Sequence, residues 1–392
     1  MKQQEQKRFI MLIGAGATAS LGYPLTSGIS IYQEILKLSD ETRFIPDLHE
    51  TKDTGLLKSL IVDIENFLRR STGQASLEAA IDRAQRYSQI IEEINSDDAL
   101  AGVFFSKQET RNRAGLLRRR AGALYELLHK VLLNVYGTNH IGTAKDKTEE
   151  QELYKNEAEK LVNLINAFRK LNSSETLSIY TTNYDAAWES IEQSTNGSVS
   201  FVDRSFSSPT DGVTNTPFNI YRLHGCVRYC RTHDACSYLQ DEEIDWEKLE
   251  FRVHHDHEHR GASVRKRSLS QLMAIKVGEQ EPNLEREPFR TVFEEFEADL
   301  KLKGTICVVI GFSFRDVNVA HRVFDALDIG YLSKLVCIDP SISVNDVTER
   351  LCIAGGRSPN LDENKLKLLK ERIYIEDCEV SNASVQKIIE NI

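Results

Sequence analysis

Four short stretches combine reactive side chains with glycine turns. In chain order they are Gly14-Ala15-Gly16-Ala17-Thr18-Ala19-Ser20-Leu21-Gly22-Tyr23-Pro24, Thr181-Thr182-Asn183-Tyr184-Asp185, Leu223-His224-Gly225 and Gly311-Phe312-Ser313. A Gly-x-Gly turn between a strand and a helix lets backbone N–H groups and the helix N-terminus face an anion, so the first stretch suits a diphosphate. Gly14 permits the tight turn, Gly16 permits close approach, and Ala19 fits the third small position of the dinucleotide fingerprint. That fingerprint ordinarily adds an acidic residue about 20 positions later, at the end of a second strand. Glu34 is near that distance but lies in a helical pattern, which argues against an ordinary hydride-transferring dehydrogenase. Asn183 brings a carboxamide, and His224 brings a side chain that as a type exchanges protons near neutral pH. Gly311 and Ser313 form a second turn at the end of an apolar run.

The surrounding patterns predict how these pieces are held. Apolar runs at Phe9 to Ile13, Leu177 to Tyr180, Ile220 to Leu223, Thr305 to Ile310, Lys334 to Ile338 and Arg372 to Ile375 read as strands. Helical stretches intervene, notably Phe289 to Leu302 and Val317 to Leu327, and this alternation predicts an α/β fold with a parallel sheet flanked by helices. Thr26 to Leu38 reads as the helix that follows the first glycine turn. Leu56 to Arg70, Leu77 to Ile94, Ala114 to Val135 and Glu149 to Leu171 show helical spacing with almost no strand signal, and Thr148 with Gln151 has the form of a capping box. The expected organisation is a core of residues 1–39 and 173–392, a helical insertion at 40–172, and an irregular, His-rich lobe at 226–288.

Composition narrows the classes. The chain has 392 residues, 41% of them hydrophobic, and a formal net charge of -10, which disfavours general affinity for nucleic acid. Arg118-Arg119-Arg120 and Arg265-Lys266-Arg267 are short basic runs that read as solvated faces or protein contacts. Seven unevenly spaced cysteines predict reduced thiols and a cytoplasmic setting. The polar start and the lack of a run of roughly 18 apolar residues predict a soluble protein without a membrane span.

Taken together and in order, the motifs resemble those of the sirtuin superfamily. Gly14 to Pro24 is similar to the sirtuin glycine turn and the segment that follows it, with Thr18 at a Ser position. Thr182-Asn183-Tyr184-Asp185, His224-Gly225 and Gly311-Phe312-Ser313 are similar to the next three motifs, and Val336-Cys337-Ile338-Asp339 looks like the last strand. The resemblance implies a Rossmann-type fold with NAD as the bound substrate. It implies Gly14, Ala15, Gly16 and Thr18 around the diphosphate, Asn183 at the ribose and a water, and His224 as a base. Asp185 would face the nicotinamide carboxamide, and Gly311, Ser313 and Asp339 would lie towards adenosine. Each residue also has a purely structural reading. Asn183 would cap the helix starting near Asp185, Asp185 would complement that helix's dipole, His224 would sit in a turn, Ser313 would satisfy loop backbone, and Asp339-Pro340 would end a strand.

The departures redirect the expected activity. Sirtuins continue with Asp-Phe-Arg where this chain has Leu25-Thr26-Ser27, and their paired Cys-x-x-Cys zinc units are not matched by Cys226, Cys230 and Cys236. The neighbouring His254-His255-Asp256-His257-Glu258-His259 run supplies metal-ligand types, but no metal is predicted. The Thr-Thr-Asn-Tyr-Asp segment and the helical insertion look like those of bacterial antiphage sirtuin-like proteins, which hydrolyse NAD to ADP-ribose and nicotinamide. That resemblance implies a homo-oligomer partnered by a HerA-like hexameric ATPase. An NAD-dependent protein deacylase and a non-catalytic NAD- or ADP-ribose-sensing scaffold are the competing expectations.

Overall fold

The computed structural model describes residues 7–39, 54–72, 76–96, 122, 124–141, 148–195, 198–205, 217–231, 236–239, 241–246, 250–251, 273–275, 288–357 and 363–392. The chain divides into two compact units. One comprises Met1–Tyr23, Asn139–Cys226 and Glu279–Ile392, and the other Pro24–Thr138 and Val227–Gly278.

The first unit is built on a seven-stranded sheet. Its strands are β1 (Arg8–Ile13), β2 (Leu177–Thr181), β3 (Val202–Asp203), β4 (Phe218–Arg222), β5 (Thr305–Ile310), β6 (Leu332–Ile338) and β7 (Ile373–Glu376). They lie in the order β7-β6-β5-β1-β2-β4-β3, and every neighbouring pair is parallel. The expected Rossmann-like α/β sheet is therefore present. Central parallel strands are covered on both faces, which explains why β1 and β5 read as unbroken apolar runs rather than alternating ones. On one face, Ile10 and Leu12 of β1 pack in a core with Phe296 of α4 (Phe289–Lys301) and Val323 of α5 (Val317–Ile329). Phe9 projects to the other face, where its ring lies 5.5 Å from that of Phe168.

Phe168 belongs to α2 (Glu149–Leu171), which the sequence assigns to the insertion but which lies in the sheet-bearing unit. Its buried stripe of Leu161, Leu164, Ile165 and Phe168 includes the ring that meets Phe9. The capping box is present: Gln151 N donates to Thr148 Oγ1 at 3.2 Å, and Thr148 N donates to Gln151 Oε1 at 3.0 Å. Asn172 then ties the end of α2 to the sheet, its Oδ1 accepting from Phe9 N at 2.9 Å.

The second unit contains helices Ile31–Ser39, Thr54–Thr72 and Leu77–Ser96 and a helical segment at 124–136. Buried Ile61, Ile64, Ile81, Leu127, Leu128 and Val131 mark their apolar faces. The lobe expected to be irregular has strand structure of its own. Gly225–Arg231, Cys236–Tyr238 and Met273–Ile275 form a three-stranded sheet, and Ile244–Asp245 pairs with Glu250–Phe251. All but the seven-residue Gly225–Arg231 are two or three residues long, too short to stand out by periodicity, and Gly225–Arg231 mixes apolar residues with two arginines. Both basic runs and His254–His259 lie outside the described residues.

A second difference concerns the chain after the first glycine turn. A five-residue helix, α1 (Ala15–Ala19), starts at once, and the expected Thr26–Leu38 helix resolves into a 3-10 turn at Thr26–Gly28 and the helix from Ile31. Gly22, at φ +90°, ends the first segment, and the Thr26-Ser27-Gly28 turn breaks the second.

The closest backbone approach in the sheet unit lies between the turns after β1 and β5. A Cβ built on Gly14 would stand 2.5 Å from Gly311 O, and one on Gly311, itself at φ +61°, would stand 2.2 Å from Ala17 N. Both obstacles are main-chain atoms, which cannot swing aside. Gly311→Ala should therefore destabilise the protein by more than about 2 kcal/mol, whereas Gly28→Ala, with nothing within 4 Å of the added carbon, should stay within about 0.5 kcal/mol of wild type. Denaturant melts of the two variants check this, and equal midpoints would refute the close-packed turns.

Candidate functional site

Parallel register aligns the carboxyl ends of six strands in one row. Ile13 pairs with Thr181 and with Ile310, Thr181 with Arg222, Ile310 with Ile338, and Ile338 with Glu376. Gly14, Asn183, His224, Gly311, Ser313 and Asp339 all follow within a few residues of that row. Sequence-distant motifs are thus delivered to a single edge, with adjacent strands about 4.8 Å apart. The strand order reverses between β1 and β5, the switch point at which open α/β sheets bind ligands.

The glycine turn is more constrained than its motif implies. Gly14 N donates to Ile310 O at 2.9 Å, Gly16 N to Gly311 O at 3.0 Å, and Ala17 N to Gly14 O at 3.0 Å. The two glycine amides are thus committed to the β5 turn. Ala15 occupies the first position of α1, where an N–H has no intrahelical acceptor, and Gly16 is exposed. Glu34, on the Ile31–Ser39 helix of the other unit, pairs with Lys37 at 2.5 Å.

Beside the turn, three side chains form a buried chain. Asn183 Nδ2 donates to Thr18 Oγ1 at 3.0 Å, and Thr18 Oγ1 donates to Asp185 Oδ2 at 2.8 Å. Asp185 Oδ1 accepts from Ala187 N at 3.2 Å, at the start of α3 (Ala187–Ser194). Asp185, not Asn183, therefore tethers that helix, and the capping reading of Asn183 is set aside. Asn183 is 5% exposed, and its Oδ1 has no hydrogen-bond partner among the described residues.

Asp185 is deeply buried, and desolvation pushes its carboxyl up from 3.8 to about 6. The Thr18 hydroxyl, the Ala187 N–H and the Arg222 guanidinium oppose that rise, and Glu189 adds to it. Arg222, 1% exposed, lies beneath the edge. Its Nε donates to Asp203 Oδ2 at 2.7 Å, its Nη1 to Asp185 O at 3.0 Å, and its Nη2 to Glu189 Oε1. Sequence reading missed this arginine because nothing in the strand pattern marks it as buried.

His224 sits in the tight turn Leu223–His224, ahead of Gly225 at φ +82°. Its Nε2 lies 2.6 Å from Asp316 Oδ2, while Asp316 Oδ1 accepts from Val319 N at 3.1 Å as the N-cap of α5. The carboxylate favours a proton on Nε2, which leaves Nδ1 as the basic nitrogen of the neutral ring. Asp316 is the second residue that sequence reading missed. The Asp-x-x-Val helix start was a visible cap signal, but its histidine partner is far away in sequence.

The remaining candidates are held by local structure. Ser313 O accepts from Arg350 Nη1 at 2.6 Å. Asp339 Oδ1 accepts from Ser341 N at 2.7 Å and Ser341 Oγ at 2.6 Å, a strand-ending turn. Cys226 and Cys230 are buried, the Cys226 thiol donating to Asp185 O at 3.8 Å, and among the described residues no His, Cys, Asp and Glu cluster is placed to hold a metal ion. No helix among the described residues is long and apolar enough to cross a membrane. No family model matches the chain, and no curated protein matches it in sequence.

Asp185 makes stability depend on pH. Its folded-state carboxyl binds a proton more tightly than the unfolded one, so between about pH 4 and pH 6 the native state holds more protons and loses stability as pH rises. Asp185→Asn removes this titration. Its stability relative to wild type should grow by on the order of 2–3 kcal/mol from pH 4 to pH 6.5 and then level off, as read by urea melts at each pH. A pH-independent difference would refute the burial argument.

Proposed function

We propose that the chain is an NAD glycohydrolase that releases nicotinamide and ADP-ribose. The observation that carries this reading is the buried Oδ1 of Asn183, a carboxamide oxygen without a partner, on the strand row that also presents the glycine turn and His224. A buried acceptor of this kind suits a sugar hydroxyl or a water.

The chemistry asks little of the protein beyond placement. The nicotinamide of NAD is a cationic leaving group. As the C1′–N bond breaks, its electron pair neutralises the ring and positive charge builds on the ribose. Water adds at C1′, and its proton passes to a base and then to solvent, so the balance is NAD⁺ plus water to nicotinamide, ADP-ribose and H⁺. Asn183 orients the ribose or the water, and His224, oriented by Asp316, receives the proton. The Ala15 amide is the donor to the diphosphate, and the exposed Gly16 admits its close approach. By the sirtuin-like resemblance, Gly311, Ser313 and Asp339, which follow β5 and β6, take the adenosine half.

The biological setting belongs to the same proposal and rests on the sirtuin-like resemblance. In it, NAD depletion arrests a phage-infected bacterium, the chain forms a homo-oligomer in the cytoplasm, and a HerA-like hexameric ATPase is its partner.

NAD turnover is the test, on the purified chain alone and with a co-expressed hexameric ATPase. Nicotinamide and ADP-ribose should appear in equal amounts. Asn183→Ala and His224→Ala should each lose at least about 100-fold in kcat, and Asp316→Asn, which keeps the helix cap, about 10-fold. Full turnover in both alanine variants would overturn the site. Nicotinamide release only with acylated peptide would assign a deacylase instead, and tight NAD binding without turnover in either state would assign a sensor.

A further inference from the structure

The resemblance gives Thr18 to a phosphate and Asp185 to a carboxamide of the substrate. Their contacts point to different work. The Asp185 carboxylate meets two donors, the Ala187 N–H at 3.2 Å and the Thr18 hydroxyl at 2.8 Å. When ionised it only accepts, so the single hydroxyl proton of Thr18 is spent on it. The Ala15 carbonyl, at 3.4 Å, is a longer and weaker alternative for that proton than the carboxylate. With the proton on Asp185, Thr18 Oγ1 acts as acceptor towards Asn183, 3.0 Å away. That neighbour is therefore the Nδ2 end of the carboxamide, and Oδ1 is the end left unpartnered and buried. Charge at one end of the chain decides which end of the amide is presented at the other.

We infer that Thr18 and Asp185 are positioning residues whose hydrogen-bonded chain locks the Asn183 carboxamide with Oδ1 towards the ligand, making the site selective for a hydroxyl donor, either a ribose hydroxyl or a water. For its activity readout this inference rests on the NAD hydrolysis reading. Burial of Asp185 keeps the arrangement dry and directional. The groups that face its carboxylate are Thr18 on α1, Ala187 N and Glu189 on α3, and Arg222 on β4, with the Tyr23 hydroxyl also near. Only Arg222 among them carries positive charge, and it donates to the Asp185 backbone carbonyl and to Asp203 and Glu189, not to the carboxylate. The proton arrangement along Thr18 is thus free of a competing cationic donor.

Asp185→Asn makes the sharpest test. The Ala187 N–H still needs an acceptor, so the new side chain turns its oxygen there and its NH₂ towards Thr18. Thr18 then accepts, and its proton is shared between Asn183 and the Ala15 carbonyl 3.4 Å away, so the carboxamide is no longer held with Oδ1 towards the ligand. The variant keeps size, burial and fold. Asp185→Asn and Thr18→Val should each lose at least about 10-fold in NAD turnover, whereas Thr18→Ser, which keeps the hydroxyl, should stay within about 3-fold of wild type. If Oδ1 holds a ribose hydroxyl, ADP-ribose binding measured by calorimetry weakens in step. If it holds water, kcat falls while that affinity is unchanged.

A second readout is independent of activity. The Asn183 side-chain NH₂ resonances, identified by their loss in Asn183→Ala, should shift and exchange faster with solvent in Thr18→Val and Asp185→Asn but not in Thr18→Ser. If those resonances respond so while wild type neither binds nor cleaves NAD, the positioning chain stands and the NAD reading fails. Folded Thr18→Val and Asp185→Asn proteins with unchanged resonances, or with turnover and ADP-ribose affinity both within 2-fold of wild type, would overturn the inference.

Discussion

Two main-chain turns meet without a side chain between them, and the candidate site depends on that contact. Gly14, Gly16 and Gly311 are tightly packed, and hydrogen bonds from Gly14 N and Gly16 N to the β5 side hold the contact closed. A glycine turn is ordinarily credited to the ligand it admits. Here the neighbouring strand already demands it, because any Cβ would collide with backbone rather than with a mobile side chain. The turn therefore arrives pre-shaped, and the adjacent ends of β2 and β4 inherit a fixed reference. Asn183 and His224 follow a register that runs unbroken through Ile13, Thr181 and Arg222.

Electrostatics beneath the edge work against stability. Asp185 is buried where its charge is penalised, and Arg222 is buried with two carboxylates that remain partly exposed. A buried ion network of this sort adds little net stability, since desolvation offsets most of the attraction. Its geometric consequence is larger: Arg222 ties β3, the start of α3 and the Asp185 loop to β4, so the polar residues cannot drift independently. An apolar core at these positions would fold at least as well but would give Thr18 no fixed acceptor. Unfavourable burial at a candidate site is what a stability–function trade-off looks like in coordinates.

Six of the seven strands were legible, the central ones because parallel strands there are apolar on both faces, as at Thr305–Ile310 and Leu177–Thr181, whereas the two-residue edge strand Val202–Asp203 was not. The α2 start was legible because Thr148 and Gln151 satisfy each other's backbone donors locally. What escaped was non-local or short. The five-residue α1 lacks a helical period, and the strands at Cys236–Tyr238 and Met273–Ile275 are too brief to alternate visibly. Of the site, the motif order marked Asn183, His224, Thr18 and Asp185, but not that Asp185 bonds Thr18 or that His224 faces Asp316. Those pairings depend on which strand lies beside which, and side-chain type alone carries no such information.

Asp316 shows how such a pairing is built. Its segment leaves β5 through two left-handed residues, Gly311 at φ +61° and Phe314 at φ +57°. A bulky residue in that conformation costs roughly 1–2 kcal/mol. Phe314 is only 2% exposed and lies edge-on to Phe312 at 5.1 Å, and burying such a ring returns about 1.5–3 kcal/mol. The two phenylalanines are buried against each other, and the segment ends at Asp316, the N-cap of α5. Between β5 and β4 lie β1 and β2, three spacings or on the order of 14 Å. Asp316 and His224 therefore meet from strands on opposite sides of the switch point. The carboxylate that caps α5 is thereby the one that orients the imidazole, and His224 moves only if the first turn of that helix moves with it.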